Sequence, residues 1–142
     1  MALPANDRGS LINGGPWRAA YSVVLYLLVP WVLLRLWWRS RRAPAYRRRW
    51  AERFGFITPL PVSGVVWVHA VSVGEALAAA PLIKALTARG EPVLVTTTTP
   101  TGSDRVRALF GNSVHHLYCP YDLPDAVRRF LRRTRPKLAI IM

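Results

Sequence analysis

Acidic side chains are scarce in this sequence. Seven Asp and Glu stand against twenty Lys and Arg, leaving a formal net charge of +13 on 142 residues. That imbalance turns the search for partners toward anionic surfaces: lipid headgroups, phosphates or nucleic acid. Cysteine is nearly missing, and the lone Cys119 offers no intrachain disulfide, in keeping with a reducing compartment. No glycine-rich dinucleotide or Walker fingerprint occurs, so nothing points to a nicotinamide site or a P-loop. His115 and His116 are adjacent on a segment that reads as a strand, where they face opposite ways and do not readily share one metal.

Apolar residues, by contrast, make up 51% of the chain and are unevenly spread. Trp17 to Trp38 reads WRAAYSVVLYLLVPWVLLRLWW and carries no charge from Ala19 to Leu34. As a helix the whole stretch spans about 33 Å, against a hydrocarbon core of about 30 Å. Trp17 at one end and Trp37 and Trp38 at the other suit the headgroup belt. Pro30 would kink the axis, and Arg35 could snorkel to the interface. The expectation is a disordered terminus at 1–16 and a membrane-anchor helix at 17–38, either a single span or a kinked monotopic anchor. Only Arg8 and Arg18 precede the apolar core, so the positive-inside bias puts the chain after Trp38 in the cytoplasm.

Two clusters hold most of the positive charge. The first comprises Arg35, Arg39, Arg41, Arg42, Arg47, Arg48, Arg49 and Arg53, opposed only by Glu52. It lies in a basic juxtamembrane segment and loop, 39–64, interleaved with Trp37, Trp38, Tyr46 and Trp50. That setting suits lipid phosphate, at about 1 kcal/mol per basic residue near an anionic surface, better than DNA or RNA. The second cluster, Arg128 to Lys137, reads as a solvated helix face.

After Gly64 the pattern becomes an alternation of strands and helices. Strands are predicted at Val65 to Ala70, Pro92 to Thr97, Val114 to Cys119 and Lys137 to Met142. Helices are predicted at Glu75 to Ala88, Pro100 to Phe110 and Leu123 to Arg133, the first with Leu77, Leu82 and Leu86 at helical spacing and Pro81 as a kink. Repeated β-α units imply right-handed crossovers, so 65–142 is expected to form an α/β, Rossmann-like parallel sheet. In such sheets ligands bind outside the carboxyl ends of the strands.

The loops at those ends carry the candidate residues. Ser72 and Glu75 are spaced as a capping box, and Gly74 would let a ligand approach the backbone. Glu75 is thus either a helix cap or a carboxylate placed for chemistry. The run Thr96 to Ser103 offers Thr99 and Pro100 as N-cap and N1, or a row of hydroxyls and amides for a polyhydroxylated or phosphorylated ligand. Asp122 or Asp125 could start the third helix.

Taken in order, R-x-W-x-E-R-F-G, W-V-H-A-V-S-V-G-E, T-T-T-T-P-T-G-S, Y-C-P-Y-D-L-P and R-P-K-L-A-I-I-M closely resemble the amino-terminal half of the Kdo (3-deoxy-D-manno-octulosonic acid) transferases of lipopolysaccharide biosynthesis, over roughly Tyr21 to Met142. The resemblance implies the amino-terminal, acceptor-binding domain of a GT-B glycosyltransferase that moves Kdo from CMP-Kdo to the lipid A precursor. It implies Glu75 as general base. It places Ser72, Gly74, Thr98, Thr99, Pro100, Thr101 and Gly102 at the acceptor, and Arg39, Arg41, Arg42, Arg47, Arg48 and Arg49 at the membrane or the acceptor's phosphates. It further implies no metal or other cofactor, no nucleic-acid partner, and an inner-membrane location with the catalytic domain on the cytoplasmic face. Family members continue with a Glu-Thr-Glu motif and a donor domain, so these 142 residues alone are expected to lack transfer activity. The alternative is a noncatalytic, membrane-tethered α/β module that binds anionic lipid or nucleic acid through its arginine clusters.

Overall fold

The computed structural model describes residues 16–42 and 49–142. The elements are α1 (Pro16–Arg42), α2 (Trp50–Arg53), β1 (Val65–His69), α3 (Val73–Ala88), β2 (Val93–Thr97), α4 (Pro100–Phe110), β3 (His115–Tyr118), α5 (Pro124–Thr134) and β4 (Pro136–Ile141). The four strands form one parallel sheet in the order β3-β2-β1-β4. The chain therefore builds outward from β1 to β3 and then crosses back to the other side of β1. This is the order of the first strands in a doubly wound sheet, with its switch point between β1 and β4.

Alternation along the strands sends side chains to two cores. Val66, Val68, Val93 and Val95 pack with Ala76, Ala79 and Ile83 of α3 and with Val106 and Phe110 of α4. Val65 and Leu94 face the other way and meet Phe130 of α5, with Ile57 and Leu60. Helices thus cover both faces, which is why β2 is buried along its whole length. The face that α3 turns inward differs from the sequence expectation: Leu77 and Leu82 are exposed, while the smaller Ala76 and Ala79 are buried with Ile83. Small side chains let the helix axis approach the sheet closely. Pro81 does not interrupt α3, which is helical throughout.

Residues flanking the sheet explain much of the R-x-W-x-E-R-F-G and R-P-K-L-A-I-I-M stretches. Glu52 Oε2 accepts the Tyr118 amide at 2.9 Å, and Arg49 Nη2 donates to the His116 carbonyl at 2.7 Å. Two side chains from the α2 corner therefore satisfy the outer edge of β3, where a further strand would otherwise sit. Gly55 has φ +75°, and a Cβ there would lie 2.4 Å from the Ala126 carbonyl oxygen, so this corner requires glycine.

The second arginine cluster departs from a simple solvated face. Arg129 donates to the Phe54 carbonyl at 2.9 Å, Arg133 to that of Ile57, and Arg135 to that of Leu60 at 3.4 Å. Three arginines thus clamp the segment leading to β1, while Arg128 and Arg132 remain exposed.

Helix α1 contains Pro30 and exposes Trp17, Leu27, Trp31 and Trp38, at 85%, 73%, 59% and 64% of their surface. Among the described residues no helix is long and apolar enough to cross a membrane. The Tyr21 and Tyr26 hydroxyls donate to Asp122 and Asp125, each at 2.7 Å. These two carboxylates hold α1 rather than capping α5, whose N-cap is Leu123 without a side-chain cap.

Candidate active site at the carboxyl ends of β1 and β2

The loop after β1 begins beside the switch point and runs straight into α3. Ser72 is the N-cap of α3, with extended backbone, and its Oγ accepts the Glu75 amide at 3.4 Å. The Glu75 carboxylate then turns back over the helix start. Its Oε1 accepts from Ser72 Oγ at 3.3 Å, and its Oε2 accepts the Val71 amide at 2.6 Å. In the usual capping box the glutamate takes the N-cap amide; here it takes the amide one residue earlier. Glu75 is only partly buried, so the carboxylate is fixed in orientation while still open to solvent.

The threonine-rich loop after β2 closes over the same turn. Thr98 donates to the Val71 carbonyl from its Oγ1 at 3.1 Å and from its backbone amide at 3.4 Å. Thr99 Oγ1 is 3.5 Å from the same carbonyl and also accepts the Gly102 amide at 3.1 Å, as the N-cap of α4. Pro100 follows at N1, where its missing N–H costs nothing. A Cβ on Gly102 would lie 2.9 Å from Thr99 Oγ1 and 3.6 Å from the Ser72 carbonyl carbon. Gly102 therefore makes room for the Thr99 hydroxyl of its own loop, with Ser72 of the other loop in ordinary contact. At Gly74, by contrast, a Cβ would meet nothing nearer than Ser72 Oγ at 4.0 Å. Thr101 is exposed, and its hydroxyl donates to Thr99 Oγ1 at 3.4 Å.

Ser72, Gly74, Glu75, Thr98, Thr99, Pro100, Thr101 and Gly102 are therefore brought together in two adjoining loops, with Pro100 and Gly102 buried beneath the others. Of the six arginines expected at lipid, Arg49 is the one with a described side chain, and it does not join them. Arg49 stands at the β3 edge, 2.5 Å from Glu52 and with its guanidinium 5.1 Å from the Tyr118 ring. The side chains of Arg39, Arg41 and Arg42, and the whole of Arg47 and Arg48, lie outside the described residues.

The arginine that does reach the site is one that the sequence alone does not single out. Arg53 is buried, at 5% exposure, and its Nη2 donates to the Thr98 carbonyl at 2.8 Å. Its guanidinium lies 4.2 Å from the Tyr118 ring centroid. Nothing in the local pattern distinguishes it from its neighbours, because Thr98 is 45 positions away.

Two groups near these loops, His116 and Cys119, have their neutral forms favoured. Burial, then the charges of Arg49 and Arg107, lower the His116 pKa from 6.5 to about 3. Its Nε2 lies 3.2 Å from Thr97 Oγ1. Burial raises the Cys119 thiol pKa, against smaller lowering effects from Thr96 and Arg53. Among the described residues no three His, Cys, Asp or Glu gather closely enough to hold a metal ion.

Known proteins are similar to this chain over most of its length. A family model described as 3-deoxy-D-manno-octulosonic-acid transferase (kdotransferase) matches residues 48–142. A 3-deoxy-D-manno-octulosonic acid transferase of Haemophilus influenzae is 43% identical over 131 residues, covering 89% of this chain and 30% of that protein. One of Bordetella pertussis is 42% identical over 134 residues, covering 88% and 31%. The chain thus spans about a third of the length of these relatives. No solved structure matches it significantly. With the family model covering α2, all four strands and both loops of the site, the chain belongs to the Kdo transferase family.

Proposed function

We propose that this chain is the acceptor-binding, amino-terminal part of an inverting GT-B glycosyltransferase that transfers Kdo from CMP-Kdo to the lipid A precursor. The observation that carries the reading is the Glu75 carboxylate, fixed by Val71 and Ser72 at the carboxyl end of β1 and still open to solvent. Glu75 acts as general base. The acceptor hydroxyl attacks the anomeric carbon, the bond from that carbon to the CMP phosphate oxygen breaks, and the hydroxyl proton passes to the carboxylate. No metal or other cofactor takes part. The free space over Gly74 gives the acceptor a path to this carboxylate. The threonine hydroxyls and the α4 amino terminus line the approach.

The acceptor is a phosphorylated glycolipid, which gives α1 a purpose. Its exposed tryptophans and leucines anchor the chain at the inner membrane, with the catalytic surface on the cytoplasmic side. Arg39, Arg41, Arg42, Arg47 and Arg48 then meet lipid phosphates. Weighing against a noncatalytic module that binds lipid or nucleic acid through arginine clusters, Arg49, Arg53, Arg129, Arg133 and Arg135 donate to carbonyls of the chain itself.

The test is transfer of radiolabelled Kdo from CMP-Kdo to lipid A precursor by the full-length enzyme, with and without Glu75→Gln. Glutamine can still accept the Val71 amide but cannot take a proton as a carboxylate does. Transfer should vanish while the melting temperature stays close to that of the parent. A variant that keeps most of its activity would leave Glu75 as a cap only.

A further inference from the structure

We infer that Arg53 is a positioning residue for Glu75, acting through Thr98 and Val71. The inference rests on Glu75 being the base. Four contacts connect the two side chains: Arg53 Nη2 donates to the Thr98 carbonyl at 2.8 Å, Thr98 donates to the Val71 carbonyl through Oγ1 at 3.1 Å and through its amide at 3.4 Å, and the Val71 amide donates to Glu75 Oε2 at 2.6 Å. Each link removes a freedom from the next. Arg53 fixes the height of the threonine loop above the sheet, that loop fixes the rotation of the Val71 peptides, and the Val71 amide fixes the carboxylate.

Arg53 is an unusual residue to bury for packing alone. It is 5% exposed, no carboxylate pairs with it among the described residues, and its Nε is buried without a hydrogen-bond partner. Burial of an unpaired guanidinium is costly. The ring faces of Tyr118 at 4.2 Å and Tyr121 at 6.0 Å offset part of that cost. The guanidinium also interacts with the Tyr121 hydroxyl, and its hydrogen bond to the Thr98 carbonyl ties it to the threonine loop. The arginine is itself held firmly, because its own carbonyl accepts the Tyr121 amide at 2.8 Å and the preceding Glu52 is tied to β3. A side chain anchored at the sheet edge thus reaches the loop that carries the candidate acceptor site. This also gives the R-x-W-x-E-R-F-G stretch a connection to the chemistry, since its arginine ends on the T-T-T-T-P loop and that loop ends on the S-V-G-E turn.

Displacement of a catalytic group by about 1 Å can cost about 100-fold in rate. In the full-length enzyme, Arg53→Met is therefore expected to lower kcat about 10- to 100-fold, with the acceptor KM within about threefold of the parent. Arg53→Lys, whose ammonium can still donate to the Thr98 carbonyl, should recover most of that loss. Thr98→Val, which removes only the Oγ1 link, should show a smaller kcat loss of the same kind, and Arg53→Gln, whose shorter side chain falls short of the Thr98 carbonyl, takes the place of Arg53→Met if that variant does not fold. A second measurement is independent of activity. In nitrogen-15 NMR spectra of the 142-residue chain, the Val71 and Thr98 amide resonances should move in Arg53→Met, while those of Leu109 and Phe110 at the far end of α4 stay in place. Unmoved Val71 and Thr98 amides, or a loss confined to KM, would overturn the inference. Should Glu75→Gln stay active while these amides move, the base assignment fails and the linkage of Arg53 to the turn stands.

Discussion

Helices α3 and α4 start side by side at the same end of the sheet, and both begin with a hydroxyl N-cap. At α4 the cap carries no carboxylate: Thr99 accepts the Gly102 amide, Gly102 gives the room, and one longer contact reaches the Val71 carbonyl. At α3 a hydroxyl cap is present too, but a carboxylate is laid over it and reaches back to Val71. The difference teaches that a capping position becomes a candidate for chemistry when its acidic group is braced by more contacts than the cap requires and is left open to solvent. Under that criterion the α3 start is the candidate for chemistry and the α4 start its support.

The comparison breaks most sharply at Glu75. Glu75→Gln should reduce transfer by at least about 100-fold, the contribution expected of a general base, while Thr99→Ala, at the equivalent cap of α4, should leave kcat largely intact. Parallel transfer assays on the two variants decide whether the corners differ in this way. Next in size is the pair of glycines. Gly102→Ala pushes a methyl against the Thr99 hydroxyl and should destabilise by about 1–3 kcal/mol. Gly74→Ala meets open space and should be neutral or stabilising by up to about 1 kcal/mol, yet impair acceptor binding. Urea titrations together with acceptor KM values separate these two outcomes.

His116 lies beneath the α4 corner through Thr97, and its pKa of about 3, against 6.5 unfolded, sets a pH window. Below pH 6.5 the unfolded chain takes up the proton first, so stability is complete above 6.5 and is lost as pH falls toward 3. The loss is up to about 1.4 kcal/mol per pH unit. His116→Gln should flatten the dependence of the urea midpoint between about pH 6.5 and about pH 4.5. A smaller effect is expected on the stability of Thr99→Ala, about 1 kcal/mol for a lost N-cap, read from the shift in melting temperature.

How much of the molecule is legible in the sequence depends on the range of each interaction. The caps at Ser72 and Thr99, and the strand and helix order after Gly64, depend on residues a few positions apart, and they can be read directly. The placement of β4 beside β1 rather than β3 is not local, and no spacing encodes it. Arginines are the hardest to sort. A guanidinium that clamps a carbonyl 75 positions away, as Arg129 does, has the same sequence surroundings as one in solvent. The inward face of α3 escapes the sequence for a different reason. Hydropathy rewards leucine, whereas close helix-to-sheet packing selects alanine.

The side-chain seal on β3 has a consequence for how this sheet can grow. Arg49 and Glu52 occupy hydrogen-bonding positions that an incoming strand would need, and β4 pairs only with β1 among the described strands. Growth is therefore directional. A strand added to this sheet, whether from the same polypeptide or from a designed peptide, has its open berth on the outer edge of β4, one strand away from the β1 turn that leads to Glu75.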